Sequence, residues 1–562
     1  MANLPEKNIT QVDEITSVPA NSKLFVNANG EFRQATVNEV VKSSTVVTSA
    51  VENAINTAVE DGVNSHFKQT TGSPILLTDS ADGTLIDFKA YGRSTQNGTP
   101  TPDSPIAIES VADGGYFDGE LSNGYYNSST GEYVSQASGR ICSKNPIPCK
   151  SGDVVKIVLE NNVSNMYICY YGENGYISML YGTENTNFIE KTIPNGATYF
   201  TFWAVNSGMT VDTVGHITVT INGKYALIVK SVGKNKLDIT KYKTLDNEVV
   251  TIDGDTIIIG VKTNVYGVMF SNDNIGLRVG ETYVFSVENV VNYNSNGGHG
   301  FRFHYADGTY NNMSGLALTT TIEKEVSNVI FYLGAPYTGK LESRIEGLMI
   351  RPIGTDDTYE PYKESVTYIP LNEPIRSSLD GTVTDEVSLT EVTRRYAEVV
   401  LDGSDDENWG MSYGRPTISI EGIKQSNEPI SICSHFKNRS YANVVGEFFN
   451  YQPTEYDLFF IVKEDLQSLT NWKAWLQANP ITVQYELAEP VIEEIDPVEI
   501  VTYDNVTYLT ASDDADMELE YPTSKVAGIA SIGYSKGRKA EYEVELLKAQ
   551  LLELQTAMVN SL

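Results

Sequence analysis

Along most of this chain the apolar positions alternate with polar ones instead of recurring every three or four residues. From Ser73 onward, short segments such as Tyr283/Phe285/Val287, Phe301/Phe303/Tyr305 and Val329/Phe331/Leu333 are broken by Gly, Asn and Asp. A period of two is the mark of half-buried strands, since successive side chains point to opposite faces of a sheet. Turn residues recur about every ten positions, which predicts packed antiparallel sheets rather than a parallel sheet with crossover helices. The expected fold is all-β, with tandem jelly-roll-like β-sandwiches and short coiled-coil-type helices near the two ends.

Within this region the pattern repeats at a spacing of about 130 residues. The first copy runs GDVVKIVLENN (152–162), MYICYYGENGY (166–176), GATYFTFWAVNSG (196–208). The second runs GETYVFSVENV (280–290), FRFHYADGTY (301–310), SNVIFYLGAPYTG (327–339). Each begins with a Gly-led strand ending in Glu-Asn, continues with an aromatic strand closed by a Gly turn, and adds a third aromatic strand. One sandwich used twice in tandem is the simplest account.

The remaining segments divide as follows. Residues 1–44 hold a small hairpin, with Leu24, Val26 and Phe32 around an Asn-Ala-Asn-Gly turn, too small to be stable unless docked on another subunit. Residues 45–67 read as a helix, with Val51, Ile55, Ala58 and Gly62 forming a narrow seam of small residues. Residues 68–115 read as an extended β connector, 116–225 as the first sandwich and 226–365 as the second. A third β region, 366–523, is interrupted by a helix over 464–479. That helix places Leu466, Leu469, Trp472, Trp475 and Leu476 on one face and stops at Pro480. A linker and a C-terminal helix close the chain over 524–562. In that helix Val544, Leu547, Leu551, Leu554 and Met558 keep three-four spacing, an oligomerisation seam suited to three tethered copies.

Composition narrows the partners. With 73 acidic against 40 basic residues the net charge is −33, so phosphate backbones and anionic membranes are repelled. No apolar run approaches a membrane span and the N-terminus lacks an apolar signal core, so neither nucleic acid nor membrane insertion is expected. Four cysteines (Cys142, Cys149, Cys169, Cys433) make no C-x-x-C pair, and free thiols are the expected state. The five histidines form no H-E-x-x-H, and there is no G-x-S-x-G, Walker or dinucleotide motif. Acid-rich loops at 402–407 and 513–516 lack helix-loop-helix calcium spacing and read as solvated turns. No catalytic residue, metal or cofactor is expected. Tyr outnumbers Phe, 34 to 18, and a ring with a polar tip suits half-exposed faces and sugar-stacking platforms.

Several segments together resemble tail-fibre and minor structural proteins of phages and prophages of Gram-positive gut bacteria. They are GTPTPDSPIAIESV (98–111), GKNKLD (233–238), YEPYK (359–363), IPLNEPIRS (369–377), VLDGSDDENW (400–409) and WKAWLQANPITVQYELAEPV (472–491). GEFRQATVNEVV, from Gly30, is similar to the attachment segment of such fibres. The resemblance covers about 70–500 and implies a non-catalytic virion fibre, baseplate or head appendage. Such a chain is assembled in the host cytoplasm, released by lysis, and attached through its N-terminus to other virion proteins. The tandem sandwiches look like the carbohydrate-binding modules of such proteins, for a host cell-surface glycan, while the hairpin too small to stand alone and the two helical seams predict a homotrimer. A purely architectural fibre and a polysaccharide depolymerase are the alternatives, and no short regular β-helix repeat supports the second. For sugar binding, an aromatic platform beside planar polar groups is needed. The candidates are Tyr170, Tyr171 and Trp203 in the first copy, and Arg302, His304 and Tyr305 in the second.

Overall fold

The computed structural model describes residues 75–522, except 137, 245–249, 261–266, 292–298, 334–341, 425–430, 440–446 and 453–455, together with the strands Lys23–Ala28, Glu31–Thr36 and Asn64–Lys68. The alternating segments form antiparallel ladders around four hydrophobic cores. Lys23–Ala28 and Glu31–Thr36 pair as the expected hairpin. The C-terminal seam, from Val544 to Met558, and residues 45–63 of the N-terminal helix lie outside the described residues. Asn64–Lys68 is a strand on the edge of Met517–Pro522, so the expected helix cannot run to residue 67. A ladder partner from the far end of the sequence overrides a weak local helix pattern.

The first module is a sandwich. Its larger sheet runs Tyr133–Ser135, Leu121–Tyr126, Arg140–Ser143, Tyr199–Val205, Asn165–Gly172, Gly175–Tyr181, with Ile147–Pro148 also paired to Tyr199–Val205. It faces a three-stranded sheet centred on Val154–Val163. Met166, Ile168, Phe200, Phe202, Val155 and Ile157 meet in the core between them. The second module repeats this plan. Its five-stranded sheet runs Tyr242–Thr244, Gly267–Ser271, Val326–Tyr332, Gly300–Tyr305, Tyr310–Ser314 and packs on two smaller sheets around Phe285, Phe301, Phe303 and Phe331. Register matches as well as order: Ile168 faces Phe202 as Phe303 faces Val329. Each aromatic strand meets a register shift near its end, in the first module against the hairpin strand Gly175–Tyr181 and in the second against Val326–Tyr332.

What joins the modules differs from a string of domains. Ile75–Ser80 pairs with Asn505–Ala511, and Asp87–Tyr91 pairs with Met517–Pro522 and Glu386–Ser388. Tyr225–Val232 lies between Glu364–Leu371 and Asn505–Ala511. These strands enclose one core, with Leu77, Phe88, Val229, Ile369, Val387, Leu509 and Leu519 inside. Segment 68–115 is therefore not a connector, and Tyr225–Val232 does not belong to the second sandwich. Both are strands of a scaffold sandwich into which the two modules are inserted. Alternation identifies a strand and its buried face but carries no information on a partner more than 400 residues away.

The third β region completes the scaffold through Glu391–Leu401 and Ile481–Glu494, and between them adds a lobe with its own core. There the helix Leu469–Ala478 forms as expected, its Ser468 side chain accepting from the Asn471 amide at 3.3 Å. Trp472 and Leu476 are fully buried, whereas Leu469 faces outward at 37% exposure. The proline-held segment at 98–111 straps onto this lobe: the Ile106 amide donates to the Ser434 carbonyl at 2.8 Å, and Gln96 Nε2 donates to the Cys433 carbonyl at 3.0 Å. The acid-rich loop at 402–407 is organised by Glu407, whose carboxylate accepts from the Asp402 and Gly403 amides at 2.7 and 2.9 Å. No cluster of three metal-ligating side chains occurs among the described residues.

Each module is held by two chain crossings. At the second, GKNKLD enters beside the departing YEPYK. Lys234, fully buried, ion-pairs with Asp356 at 2.9 Å and Glu360 at 3.0 Å and donates to the Thr358 carbonyl at 2.6 Å. Asn235 accepts from the Leu237 and Ile350 amides and donates to the Glu360 carbonyl. At the first, Tyr116 stacks on Tyr368 with ring centres 5.5 Å apart, and the Ala112 amide donates to Asp513 at 2.7 Å. Gly115 at φ +64° allows the chain to pass 2.1 Å, measured from where a Cβ would stand, from the Val219 carbonyl, so no other residue fits.

Lys236 lies between scaffold and second module, its ammonium 4.1 Å from the centre of the Tyr508 ring and 5.8 Å from that of Tyr283. Burial pulls its pKa down from 10.5 to about 8. A lowered folded pKa means the unfolded chain binds the proton more readily between those two values, so stability rises with pH across that window. The unfolding free energy of the native chain is therefore expected to gain on that of Lys236→Met between about pH 8 and pH 10, by about 2 kcal/mol. Parallel pH curves for the two chains would contradict this account of the joint.

Candidate functional site

In the large sheet of the first module, Met166, Ile168 and Tyr170 point into the core, so Tyr167, Cys169 and Tyr171 point out. On the next strand Phe200, Phe202 and Ala204 are inward, and Tyr199, Thr201, Trp203 and Val205 outward. The outward side chains do not stand in water as polar residues would. They form a second, thin aromatic layer with Cys142, Tyr126 and Met179. Trp203 stacks on Tyr167 at 3.8 Å and 7°, and Tyr171 stacks on Tyr199 at 5.0 Å and 4°. The turn at 127–131 folds over one end, where Tyr171 Oη donates to the Gly131 carbonyl and Tyr176 Oη to the Ser128 carbonyl, both at 2.6 Å. Burial pushes the Cys142 and Cys169 thiols up to about 12, so neither is a nucleophile at neutral pH.

The expected residues divide by one position of parity. Tyr170 is fully buried in the core and cannot meet a ligand. Tyr171 and Trp203 face outward but keep only 8% and 6% exposure, so they floor the surface rather than form it. The accessible rings were not singled out by sequence: Tyr181 at 66% exposure, Tyr133 at 48%, and the half-buried Tyr125, Tyr167 and Tyr199. Tyr181 lies directly across the ladder from Tyr167, which lies across from Trp203. Hairpin pairing around the turn after Gly172 is the signal that could have found it. Arg140 closes this row, its guanidinium 4.1 Å from the Tyr125 ring centre.

In the second module Tyr305 packs against the core with Phe301 and Phe303, which removes it from the face. Arg302 and His304 are outward, as expected. Arg302 stands where the first module has Tyr167, and Ile330 where it has Trp203. Arg302 Nε donates to Asn312 at 2.6 Å, and its guanidinium lies 5.2 and 5.7 Å from the ring centres of Tyr310 and Tyr332. Tyr310 is 60% exposed.

Charge sets these two sheets apart. No strand of either large sheet contains an Asp or Glu. The scaffold strands Glu391–Leu401, Ile481–Glu494 and Met517–Pro522 are dense in them. A cleft of about 690 Å³ between the first module and the scaffold has the opposite character, lined by Asp113, Asp118, Glu120, Asp513, Asp514 and His216 among others. Burial raises the Asp113 and Asp513 carboxyls above the ordinary aspartate value.

No family model matches the chain, and no curated protein is similar to it. Among solved structures, the N-terminal CBM22-1–CBM22-2 tandem domain from Paenibacillus barcinonensis Xyn10C aligns with 50% of this chain and 99% of its own, at a TM-score of 0.16 and 7% identity. The infectious bursal disease virus VP2 subviral particle aligns with 85% of this chain and 87% of its own, at a TM-score of 0.09 and 9% identity. Likeness at that level carries no argument, and function has to be read from the faces themselves.

Proposed function

We propose that this chain is a non-catalytic appendage of a phage-type particle, a scaffold that holds out two glycan-binding modules toward a host surface. The observation that carries the reading is the pair of outward sheet faces, aromatic and without a single carboxylate, in a chain of net charge −33. A face kept merely for solubility would carry the charges found elsewhere on this molecule. Flat rings with polar tips stack on the apolar faces of sugar rings and donate to their hydroxyls. The particle role rests on the six sequence segments that resemble fibre proteins, and attachment through the N-terminal hairpin and assembly as a trimer belong to the same proposal. One stacked ring contributes about 1 kcal/mol, so a single site is weak, and two modules on each of three chains would supply avidity of about 10²–10⁴.

Binding of the full chain to a host-wall glycan array is expected, and Tyr181→Ala is expected to weaken it about tenfold while leaving the fold intact, because that ring is 66% exposed. Unchanged binding in Tyr181→Ala and in Tyr167→Ala would dissociate the first face from recognition. A second reading is favoured by the cleft: two raised carboxyls beside His216 are a hydrolase pattern. Against it, Asp113 accepts from the Ser110 amide and Asp513 from the Ala112 amide, so both shape the joint of the first module. Release of new reducing ends from wall polysaccharide, lost in Asp513→Asn, would establish the hydrolase.

A further inference from the structure

The two faces share a fold but not a chemistry, and the substitutions between them name a ligand class. Where the first module sets a tyrosine on a tryptophan, the second sets an arginine beside an isoleucine. Arg302 is half-buried between two tyrosine rings, and Asn312 holds its Nε at 2.6 Å. No ion pair engages its terminal nitrogens among the described residues, and the five strands around it contain no Asp or Glu to do so. Three other buried or half-buried guanidiniums are held by carboxylates, Arg376 with Glu373 and Glu398, Arg394 with Asp385 and Glu493, Arg395 with Glu386, and the buried Arg351 is held by the Thr355 carbonyl and hydroxyl. The same row of the sheet ends in the exposed Lys243.

We propose that the second module binds an anionic saccharide, with the Arg302 fork taking its carboxylate or phosphate and the exposed Tyr310 ring stacking on the sugar. The proposal rests on the glycan-binding reading and sharpens it for one module. A guanidinium held through Nε between two rings keeps its two Nη groups free and parallel, the geometry that accepts two oxygens of one anion. A planar fork already fixed by its neighbours gives up little freedom on binding. The surrounding negative charge of the chain makes an unpaired cation on a carboxylate-free face a selective feature, because an anion is repelled by the acidic surface around it. The first module, with rings in the equivalent positions, takes neutral sugar.

The test titrates the full chain with oligogalacturonate, with a glycerol-phosphate oligomer, and with a methyl-esterified oligogalacturonate as the neutral match. At least one anionic ligand is expected to bind about tenfold more tightly than the neutral one, with affinity falling as salt is raised. Which of the two binds identifies the charged group as carboxylate or phosphate. Arg302→Gln is expected to erase the preference, and Arg302→Lys to restore little of it, because a point charge lacks the fork. Tyr310→Ala, at a ring exposed to solvent, is expected to weaken the same ligand without affecting folding. Equal affinity for charged and neutral ligands, or an unchanged preference in Arg302→Gln, overturns the proposal. If the neutral ligand alone binds and Tyr181→Ala removes it, this inference fails while the broader reading stands. If no saccharide binds, both fail.

Discussion

Asp385→Ala is expected to destabilise the scaffold by about 3–5 kcal/mol, the range for breaking a buried charged network by removing one partner. The Asp385 carboxylate has no solvent exposure. One oxygen accepts from the Arg395 and Tyr396 amides at 2.7 and 2.9 Å, and the other accepts from the Arg376 amide at 3.0 Å and lies 3.5 Å from Arg394 Nη1. Arg394 is itself buried and donates to the Pro374 and Glu373 carbonyls at 2.7 and 2.8 Å. Alanine would orphan three backbone donors and leave a buried guanidinium with Glu493 as its remaining counter-charge. Because a chain with several cores need not unfold in one step, denaturation should be followed with more than one probe. The expected result is an early scaffold transition, with the transitions of the two modules unmoved. A shift below about 1 kcal/mol would show that this cluster is not what holds IPLNEPIRS in place.

Trp203→Ala should be nearly as damaging, by about 3–5 kcal/mol, but to the first module alone. The ring is 94% covered by Tyr167, Tyr125 and the neighbouring layer, so its loss opens a cavity in the thin aromatic layer. Binding lost in that variant would say nothing about sugar contact. Tyr181→Ala in the same row should cost less than about 0.5 kcal/mol of stability, as surface substitutions do. Comparing the melting of the two variants separates a supporting residue from a contacting one. Equal melting temperatures would mean that the layer is not a packed unit.

The difference between those two residues shows what was legible in the sequence. The strands, the repeat, the hairpin at Lys23–Ala28 and the helix at Leu469–Ala478 follow from periodicity, which is local. The aromatic strand at 166–176 was also recognisable as a candidate site, yet which of its rings lie on the outward face turns on parity. Tyr170 and Tyr171 are adjacent and lie on opposite sides of the sheet, as do His304 and Tyr305. Alternation runs unbroken through each pair, because the extra residue of the adjoining register shift, Ile177 or Ser327, belongs to the partner strand. Anchoring on the core residues Ile168 and Phe303 therefore decides which ring faces out. Tyr181 was missed because its value comes from a cross-strand neighbour, Tyr167, and ladder register is not written in composition.

Insertion was beyond such reading for a related reason. The motifs GKNKLD and YEPYK are separated by about 120 residues and individually look like turns. Lys234 reaching Asp356 and Glu360 makes them the two sides of one joint. Likewise 98–111 showed its stiffness through three prolines but not the bond from the Ile106 amide to the Ser434 carbonyl. In each case the residues that look out of place in a loop, a buried lysine or a proline-held strap, are explained by a partner distant in sequence.

The paired crossings also decide how the molecule carries mechanical load. A domain strung on a single linker passes all tension through one covalent strand, and pulling on it peels the domain open from its end. Here a pull on the second module divides between two strands that enter and leave side by side, held to each other by the Gly233 amide on the Lys363 carbonyl and by the ladder between Tyr225–Val232 and Glu364–Leu371. Those two strands pair over eight residues and end at the joint, so force directed outward along them pulls both the same way and loads in shear the ladder that ties Tyr225–Val232 to Asn505–Ala511. Asn64 and Pro522, at the outer limits of the described scaffold strands, are likewise ladder partners. A weak ligand held by the second module would therefore let go before the module itself unravels.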